Sequence, residues 1–276
     1  MHKTSIRSKI IVHILLILGA AVMIIPLLWM VFTSFKSDTE ATSVNPFVYL
    51  PTTWHFDTYA TVLASYNFAH LYMNTISMMA LRVLCAVVFS AMAAYAFARL
   101  EFPGKSFFFG LVLIQMMVPV QVFVIPQYLM VDALHLRNTI FALVFPGFVS
   151  AFGTFLLRQF FMSLPKELEE ASVLDGCNIG QTFVRVMMPL ARSGMVALGI
   201  FTALFAFKDL MWPMIVNTDT NKSTLSAALA TISGAMSVHY PQLMAACVLA
   251  IIPMLIVYII FQRQFIEGIA TSGGKL

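Results

Sequence analysis

The sequence predicts an all-α integral membrane protein with six membrane-spanning helices. Apolar residues make up 60% of the 276 positions and charged residues only 10%, and the mean hydropathy is +0.89. A chain of this composition has more apolar surface than a single soluble core can bury. A spanning helix needs about 20 mostly apolar residues. Six stretches meet this requirement, namely residues 10–32, 71–98, 107–129, 139–161, 194–216 and 243–261.

The spans divide the chain into an anchor and a core. The first span follows Lys3, Arg7 and Lys9, as a secretory signal peptide would. Its apolar run exceeds the roughly 7 to 15 residues of a signal core, so we interpret it as a retained anchor. The predicted segments are a tail at 1–9, the anchor at 10–32, an external loop at 33–70, a five-helix core at 71–262 with a polar loop at 163–190, and a tail at 263–276.

The basic residues between the spans predict the orientation. An even number of spans places both termini on one side, and the positive-inside rule assigns the more basic side to the cytoplasm. One side carries Lys3, Arg7, Lys9, Arg99, Lys105, Arg158, Lys166, Arg185, Arg192, Arg263 and Lys275, and the other carries Lys36, Arg137 and Lys222. We therefore expect cytoplasmic termini and a cytoplasmic 163–190 loop. These basic residues are scattered, so the pI of 9.0 does not indicate nucleic-acid binding.

Motifs for catalysis, metal binding and nucleotide binding are not found in the sequence. Cys85, Cys177 and Cys247 lack paired spacing, which argues against a disulfide framework or a zinc site. No His-Glu-x-x-His or Gly-x-Ser-x-Gly motif occurs. The segment 104–106 ends like a phosphate-binding loop, but Arg99 stands where that motif needs glycine. We predict no catalytic residue, no metal site and no cofactor in this chain.

The first half of the 163–190 loop has the features of a short helix. Ser163 can cap that helix, with Pro165 in its first turn. Acidic side chains are stabilised at the positive end of a helix, and three occur here, at Glu167, Glu169 and Glu170.

The second half of the loop predicts a tight turn followed by another helix. Gly176 can provide a left-handed C-cap, and Asn178 with Gln181 forms a capping box for a helix running towards Pro189. Several side chains are available for packing: Leu168, Ala171, Leu174, Phe183 and Val186. On local physics alone, a docking element and an ordinary interfacial loop are about equally good interpretations.

The loop also resembles a known motif. Glu170, Ala171, Asp175 and Gly176, followed by Phe183, Val186 and Pro189, resemble the EAA loop of the permease subunits of ABC importers. Ser172 and Cys177 replace alanines of that motif, and both are small. The resemblance implies the type I ABC importer permease fold, in the bacterial inner membrane.

This resemblance also implies partners and residue roles. A second permease, two cytoplasmic ATP-binding subunits that carry ATP and Mg²⁺, and an external solute-binding protein would complete the complex. The helix beginning at Glu167 would enter a cleft of one ATP-binding subunit. Glu170 would make a polar contact there, Ala171 would pack closely, Asp175 would cap nearby amides, and Gly176 would preserve the turn.

Three further stretches resemble the carbohydrate-uptake (maltose-type) subgroup of these permeases. They are residues 94–105, residues 119–126 and the pair Asn138-Thr139. Pro119 and Pro126 are expected to kink the third span, because proline lacks the amide hydrogen that a helix needs. The resemblance to this subgroup implies a sugar as the substrate class, with glycerol phosphate also open.

Ionisable residues inside spans are costly unless they face a cavity or a partner. Arg82, Lys208 and Asp209 are such residues, and no partner for Arg82 can be named from the sequence. The segment 205–213 resembles the outer half of the fifth span of sugar permeases, with Phe207 and Lys208 replacing the usual Trp-Asn. Our hypothesis is that Lys208 and Asp209 face the translocation path. The alternative is a snorkelling lysine or a salt bridge within the complex.

Two other classes of function stay open at this point. An ion-coupled secondary carrier would use Asp209 as its coupling site and would need no ATPase. A six-span scaffold without transport activity would leave Lys208 and Asp209 without a purpose.

Overall fold

A computed structural model describes residues 6–234 and 239–273 of the chain. The predicted tails extend beyond these ranges, so Lys3 and Lys275 lie outside the described residues. The described part is helical, with one isolated β-bridge between Val44 and Phe47. Its α-helices are α1 (Ile6–Thr33), α2 (Asp38–Thr42), α3 (Asp57–Ser65), α4 (Phe68–Arg99), α5 (Lys105–Met117), α6 (Val124–Ala133), α7 (Ile140–Val144), α8 (Ala151–Ser163), α9 (Glu167–Leu174), α10 (Ile179–Thr182), α11 (Met188–Leu190), α12 (Arg192–Lys208), α13 (Met211–Val216), α14 (Leu225–Ser233) and α15 (Tyr240–Gly273).

Up to six candidate membrane spans, the predicted number, occur in the described residues if each bent pair of helices counts as one span. Three are single helices, in α1, α4 and α15. Three more are pairs of helices that together are long and apolar enough but bend at a short break. The pairs are Lys105–Met117 with Val120–Ala133 (104°), Ile140–Gly147 with Ala151–Ser163 (50°), and Ile179–Leu190 with Arg192–Lys208 (76°).

Proline explains one of these breaks but not every predicted kink. Helix α5 ends at Met117, and Pro119 precedes a 3₁₀ turn, so the kink expected at Pro119 is confirmed. The kink expected at Pro126 is wrong. Pro126 lies in the first turn of α6, where the missing amide hydrogen removes no bond that the helix needs. The fifth span, predicted to be continuous over 194–216, is interrupted between α12 and α13 at Asp209 and Leu210.

The chain divides into two compact units. One comprises Met1–Phe68 and Leu229–Ile252, and the other Ala69–Ala228 and Pro253–Leu276. In the first unit, Phe35 is the centre of an aromatic cluster, with ring centroids 5.1–5.3 Å from those of Trp54, Phe56 and Tyr59. The segment predicted as an external loop therefore has a core of its own.

Lys36 is buried in the same unit, with 1% of its surface exposed. Its ammonium donates a 2.6 Å hydrogen bond to Val48 O and lies 3.9 Å from the centroid of the Trp29 ring. Burial lowers the pKa of Lys36, and the nearby Glu40 carboxylate partly opposes this effect. The hydrogen bond and the ring contact hold the Lys36 side chain within the segment that follows the anchor helix.

The second unit has two apolar clusters. The first centres on Met78, Leu143 and Trp212. The second, at the end that carries the 163–190 loop, centres on Tyr95, Phe161 and Met187.

Helices α8 and α12 approach each other closely at two glycines. A Cβ atom at Gly153 would lie 2.8 Å from Leu198 Cδ2 and 2.8 Å from Ser90 Oγ, and one at Gly194 would lie 2.6 Å from Phe160 Cδ2. Real Cβ atoms do not approach other atoms this closely. Glycine at both positions therefore sets the distance between the two spans, as small residues do in membrane helix pairs.

Candidate functional site: the 163–190 loop and a buried ion pair

The 163–190 loop folds into the predicted pair of helices with a tight turn. Gly176 follows the end of α9 with a φ of 83°, which is the left-handed conformation expected there. The Cys177 amide donates a 2.9 Å hydrogen bond back to Ser172 O. Asn178 and Gln181 then exchange side-chain-to-backbone hydrogen bonds of 2.9 Å each, which is the predicted capping box. The turn is thus held by backbone and side-chain bonds that are local in the chain.

The prediction that Ser163 caps the first helix of this loop is wrong. Ser163 is the last residue of α8, and its hydroxyl donates back to Phe160 O at 2.8 Å. Pro165 lies between the helices, and α9 begins after Lys166 without a side-chain cap. Helix α8 ends at Ser163, two residues beyond the predicted end of the span at residue 161, and this extension occupies the predicted cap.

Ser172 explains one departure from the EAA pattern. Its hydroxyl lies 2.8 Å from Thr182 Oγ1, and both residues are buried. The Ser172 hydroxyl also donates to Glu169 O at 2.8 Å. A serine at this position therefore bonds α9 to α10, which an alanine could not do.

The predicted contact residues of the loop are exposed. They are Glu167, Glu170, Ala171, Asp175, Gly176 and Pro189. Large apolar side chains are exposed beside them, with Leu174 at 88%, Val173 at 63% and Ile179 at 62%. Asp175 bonds through its backbone amide to Ala171 O at 3.0 Å. Among the described residues its carboxylate has no hydrogen-bond partner, so the capping role expected of that side chain is not observed.

An ion pair that the sequence did not predict connects the second and fifth spans. The Arg82 NH1 atom lies 2.7 Å from Asp209 Oδ2, and the side chains are 8% and 23% exposed. The Nε and NH2 atoms of Arg82 donate to Leu143 O at 2.8 Å and 2.5 Å. All three donor groups of the guanidinium are therefore engaged inside the chain, and Asp209 is already paired.

Breaks in the spans provide the acceptors for this ion-pair network. Asp209 lies at the break between α12 and α13, and Leu143 in the last turn of α7. Pro146 lacks the amide hydrogen that the Ala142 carbonyl would accept in a continuous helix. The Trp212 indole donates to Ala142 O instead, at 2.8 Å. A Cβ atom at Gly147 would lie 3.0 Å from Arg82 Cγ, so the glycine makes room for the arginine stem.

Lys208 differs from its neighbour Asp209. It is the last residue of α12, its side chain is exposed, and no ion-pair partner occurs for it within the described ranges. Of the two residues predicted to face the path, only Lys208 thus has a free charged group.

The sequence of the five-helix core identifies the family of the chain. Residues 86–270 match the family described as binding-protein-dependent transport system inner membrane component. The chain belongs to this family of permeases. The predicted membership in the permeases of ABC importers is thereby confirmed.

The permease is similar to named relatives over most of its length. It is 34% identical over 271 residues to the diacetylchitobiose uptake system permease protein NgcG of Streptomyces coelicolor, covering 97% of this chain and 89% of that protein. It is 32% identical over 261 residues to the arabinooligosaccharides transport system permease protein AraQ of Halalkalibacterium halodurans (93% and 92%). It is 31% identical over 268 residues to the sn-glycerol-3-phosphate transport system permease protein UgpE of Salmonella typhi (94% and 95%).

A solved structure has the same fold as the permease. With a TM-score of 0.79 and 24% identity, the permease matches a chain in the crystal structure of a bacterial ABC transporter involved in the import of the acidic polysaccharide alginate. The match covers 95% of this chain and 99% of that one.

These findings establish the class of function. The permease is a multi-pass inner-membrane transport subunit of an ABC importer, not an enzyme. The alternative of an ion-coupled secondary carrier has no support in the relatives, and Asp209 is occupied by Arg82.

Proposed function

We propose that this permease forms half of the translocation path for an oligosaccharide or a related polar solute, and that its 163–190 loop transmits ATP-driven movement to the spans. The observation that carries the proposal is the geometry of this loop. A locally hydrogen-bonded turn presents exposed acidic and apolar side chains to the surface of the described part of the chain. The substrate class follows the relatives, which are named for diacetylchitobiose, arabinooligosaccharides and glycerol phosphate.

In this proposal the partners are those of a binding-protein-dependent importer. A second permease provides the other half of the path, two cytoplasmic subunits bind ATP and Mg²⁺, and an external protein delivers the solute. Both termini and the 163–190 loop lie in the cytoplasm, as the distribution of basic residues indicates.

The exposed face of the loop fits a cleft in an ATP-binding subunit. Leu174, Val173 and Ile179 provide an apolar patch at the tip, and exposed patches of this kind mark interaction sites. Glu170 supplies a charged contact beside this patch, and Ala171 permits close approach. Glu167 contributes negative charge in the first turn of α9, and Pro189 begins the return to the membrane.

Replacing Gly176 tests the role of the loop. Gly176→Pro should reduce uptake to near background, because proline cannot adopt a φ of 83° and loses the amide bond to Val173 O. Gly176→Ala should be intermediate. Its Cβ has free space, but a left-handed alanine costs about 1–2 kcal/mol. The measurement is uptake and ATP hydrolysis by the reconstituted complex.

Gly180→Ala is the matched control for this series. Gly180 lies in α10, and an added Cβ would make only an ordinary 3.5 Å contact with Asn178 Oδ1. We expect wild-type uptake from it. Wild-type uptake by an assembled Gly176→Pro complex would contradict the proposed role of the loop.

Lys208 is the candidate residue for substrate preference. If its exposed ammonium faces the path, it stabilises acidic or strongly hydrogen-bonding solutes, and hydrogen bonds to charged groups contribute about 1.5–3 kcal/mol. Lys208→Asn should then lower uptake of a phosphorylated solute relative to a neutral sugar by about tenfold or more, without loss of assembly. Lys208→Arg, which keeps the charge, should preserve the ratio. An unchanged ratio in Lys208→Asn would support a snorkelling lysine instead.

A further inference from the structure

The buried side chain of Arg99 contacts the inner face of the 163–190 loop. Arg99 is the last residue of α4, and its side chain is 6% exposed. Its NH2 atom donates to two carbonyls at the end of α8, Phe161 O at 2.7 Å and Leu164 O at 2.5 Å. The last carbonyls of a helix have no intrahelical partner and carry partial negative charge. Arg99 therefore joins the ends of the second and fourth spans.

The same guanidinium faces an acidic side chain of the loop. Glu169 belongs to α9, its side chain is 19% exposed, and its Oε2 atom lies 3.6 Å from Arg99 Nε. This distance is within the range of a salt bridge but longer than the 2.7–3.2 Å of an N–H···O hydrogen bond. Glu169 thus points inward, whereas Glu167 and Glu170 on the same helix are exposed.

The contact is incompletely hydrogen-bonded in this conformation. Within the described part of the chain, Arg99 Nε and Glu169 Oε1 are buried without a hydrogen bond of ordinary geometry, although the Tyr95 hydroxyl also interacts with the Glu169 carboxylate. Buried polar atoms of this kind are rare and usually have a reason. A small movement of α9 towards Arg99 would convert the salt bridge into a hydrogen bond.

Aromatic packing makes the surroundings of this contact rigid. Tyr95 lies one turn before Arg99 on α4 and is 6% exposed. Its ring lies 5.7 Å from that of Phe161 in α8 and 5.0 Å from that of Phe183, in the π-helical turn after α10. The ends of two spans and both parts of the loop therefore meet around Tyr95 and Arg99.

We propose that Arg99 is a positioning residue that, through Glu169, passes the movement of the 163–190 loop to the second and fourth spans. This inference rests on the proposed coupling function of the loop. The exposed face of α9 contacts the ATP-binding subunit, and Glu169 on its inner face contacts Arg99. The route then continues directly into α4 and, through the Phe161 and Leu164 carbonyls, into α8.

Glu169→Gln tests the link, because it keeps the size of the side chain and removes its charge. We expect the complex to assemble and to retain basal ATP hydrolysis. Stimulation of hydrolysis by the solute-loaded binding protein, and uptake itself, should each fall by about tenfold, a typical size for coupling between sites. A purely structural role would lower assembly and basal hydrolysis together. Glu101→Gln is the matched control, since Glu101 is 88% exposed and lies two residues from Arg99.

Arg99→Lys is the second variant. Lysine keeps the charge but lacks the planar fork that can bind the carbonyls and Glu169 together. We expect normal assembly and stimulation between the wild-type and Glu169→Gln values. If Glu169→Gln does not assemble and Arg99→Lys behaves as wild type, the inference is overturned.

Gly176→Pro, measured in parallel, separates this inference from the proposed function. If Gly176→Pro abolishes stimulation while an assembled Glu169→Gln complex is stimulated normally, the loop couples but Arg99 does not carry the movement. If both variants behave as wild type, the proposed function itself fails.

Discussion

Asp209→Leu is expected to destabilise the permease by about 3–5 kcal/mol, the usual cost of removing one partner of a buried ion pair. The Arg82 side chain is only 8% exposed, so its charge would stay buried without a carboxylate. The measurement is the thermal unfolding of the purified complex in detergent, together with the yield of assembled complex. Arg82→Met should have an effect of similar size, because it leaves Asp209 unpaired and also removes both donors to Leu143 O.

The double variant Arg82→Met/Asp209→Leu tests whether the two effects share one cause. Because it leaves no unpaired charge, it should be more stable than either single variant. Asp132→Leu is the matched control, since Asp132 and Arg137 form a 2.9 Å pair whose side chains are about half exposed. That change should cost about 1 kcal/mol or less. Additive losses in the double variant would show that the two charges do not depend on each other.

Gly194→Ala is expected to destabilise the permease by about 1–3 kcal/mol, the usual cost of overpacking a filled site. The new Cβ would lie 2.6 Å from Phe160 Cδ2, so α8 and α12 would have to separate or the ring would have to move. Gly194→Leu should prevent normal packing of the two spans. The midpoint of thermal unfolding measures the first effect and the yield of folded permease the second.

Gly110→Ala is the control for this prediction. Nothing lies within 4 Å of a Cβ at Gly110 in α5, and alanine is the better helix former by about 1 kcal/mol. This variant should be as stable as the wild type or slightly more stable. A Gly194→Ala variant with the same stability as Gly110→Ala would contradict the close approach of α8 and α12.

The features predicted correctly are those determined by residues close together in the chain. The left-handed turn at Gly176 and the capping box of Asn178 and Gln181 depend on neighbours within a few positions. The candidate spans follow from the lengths of apolar runs, but the pair Ile179–Leu190 with Arg192–Lys208 includes part of the 163–190 loop and differs from the span predicted over 194–216. The role of Ser163 was predicted wrongly, because the local sequence allows it either to end α8 or to cap the next helix. In the structure it ends α8.

The contacts that were missed join distant parts of the chain. Arg82 and Asp209 are 127 residues apart. Arg99 and Glu169 are distant as well, and Arg99 was interpreted from its sequence context only as a determinant of orientation. The cost of a buried charge identifies Arg82 as a residue that needs a partner. The choice of Asp209 depends on how the spans pack, which no local pattern encodes.

The hydrogen bond from Trp212 to Ala142 O makes two positions in different spans depend on each other over evolution. In a related permease with an ordinary residue at position 146, α7 could continue and its own amide could satisfy the Ala142 carbonyl. The Ala142 carbonyl, which has two lone pairs, would then no longer depend on the Trp212 indole for a hydrogen bond. Aligned sequences should therefore lose Pro146 and Trp212 together more often than separately, although the two residues lie far apart in the chain.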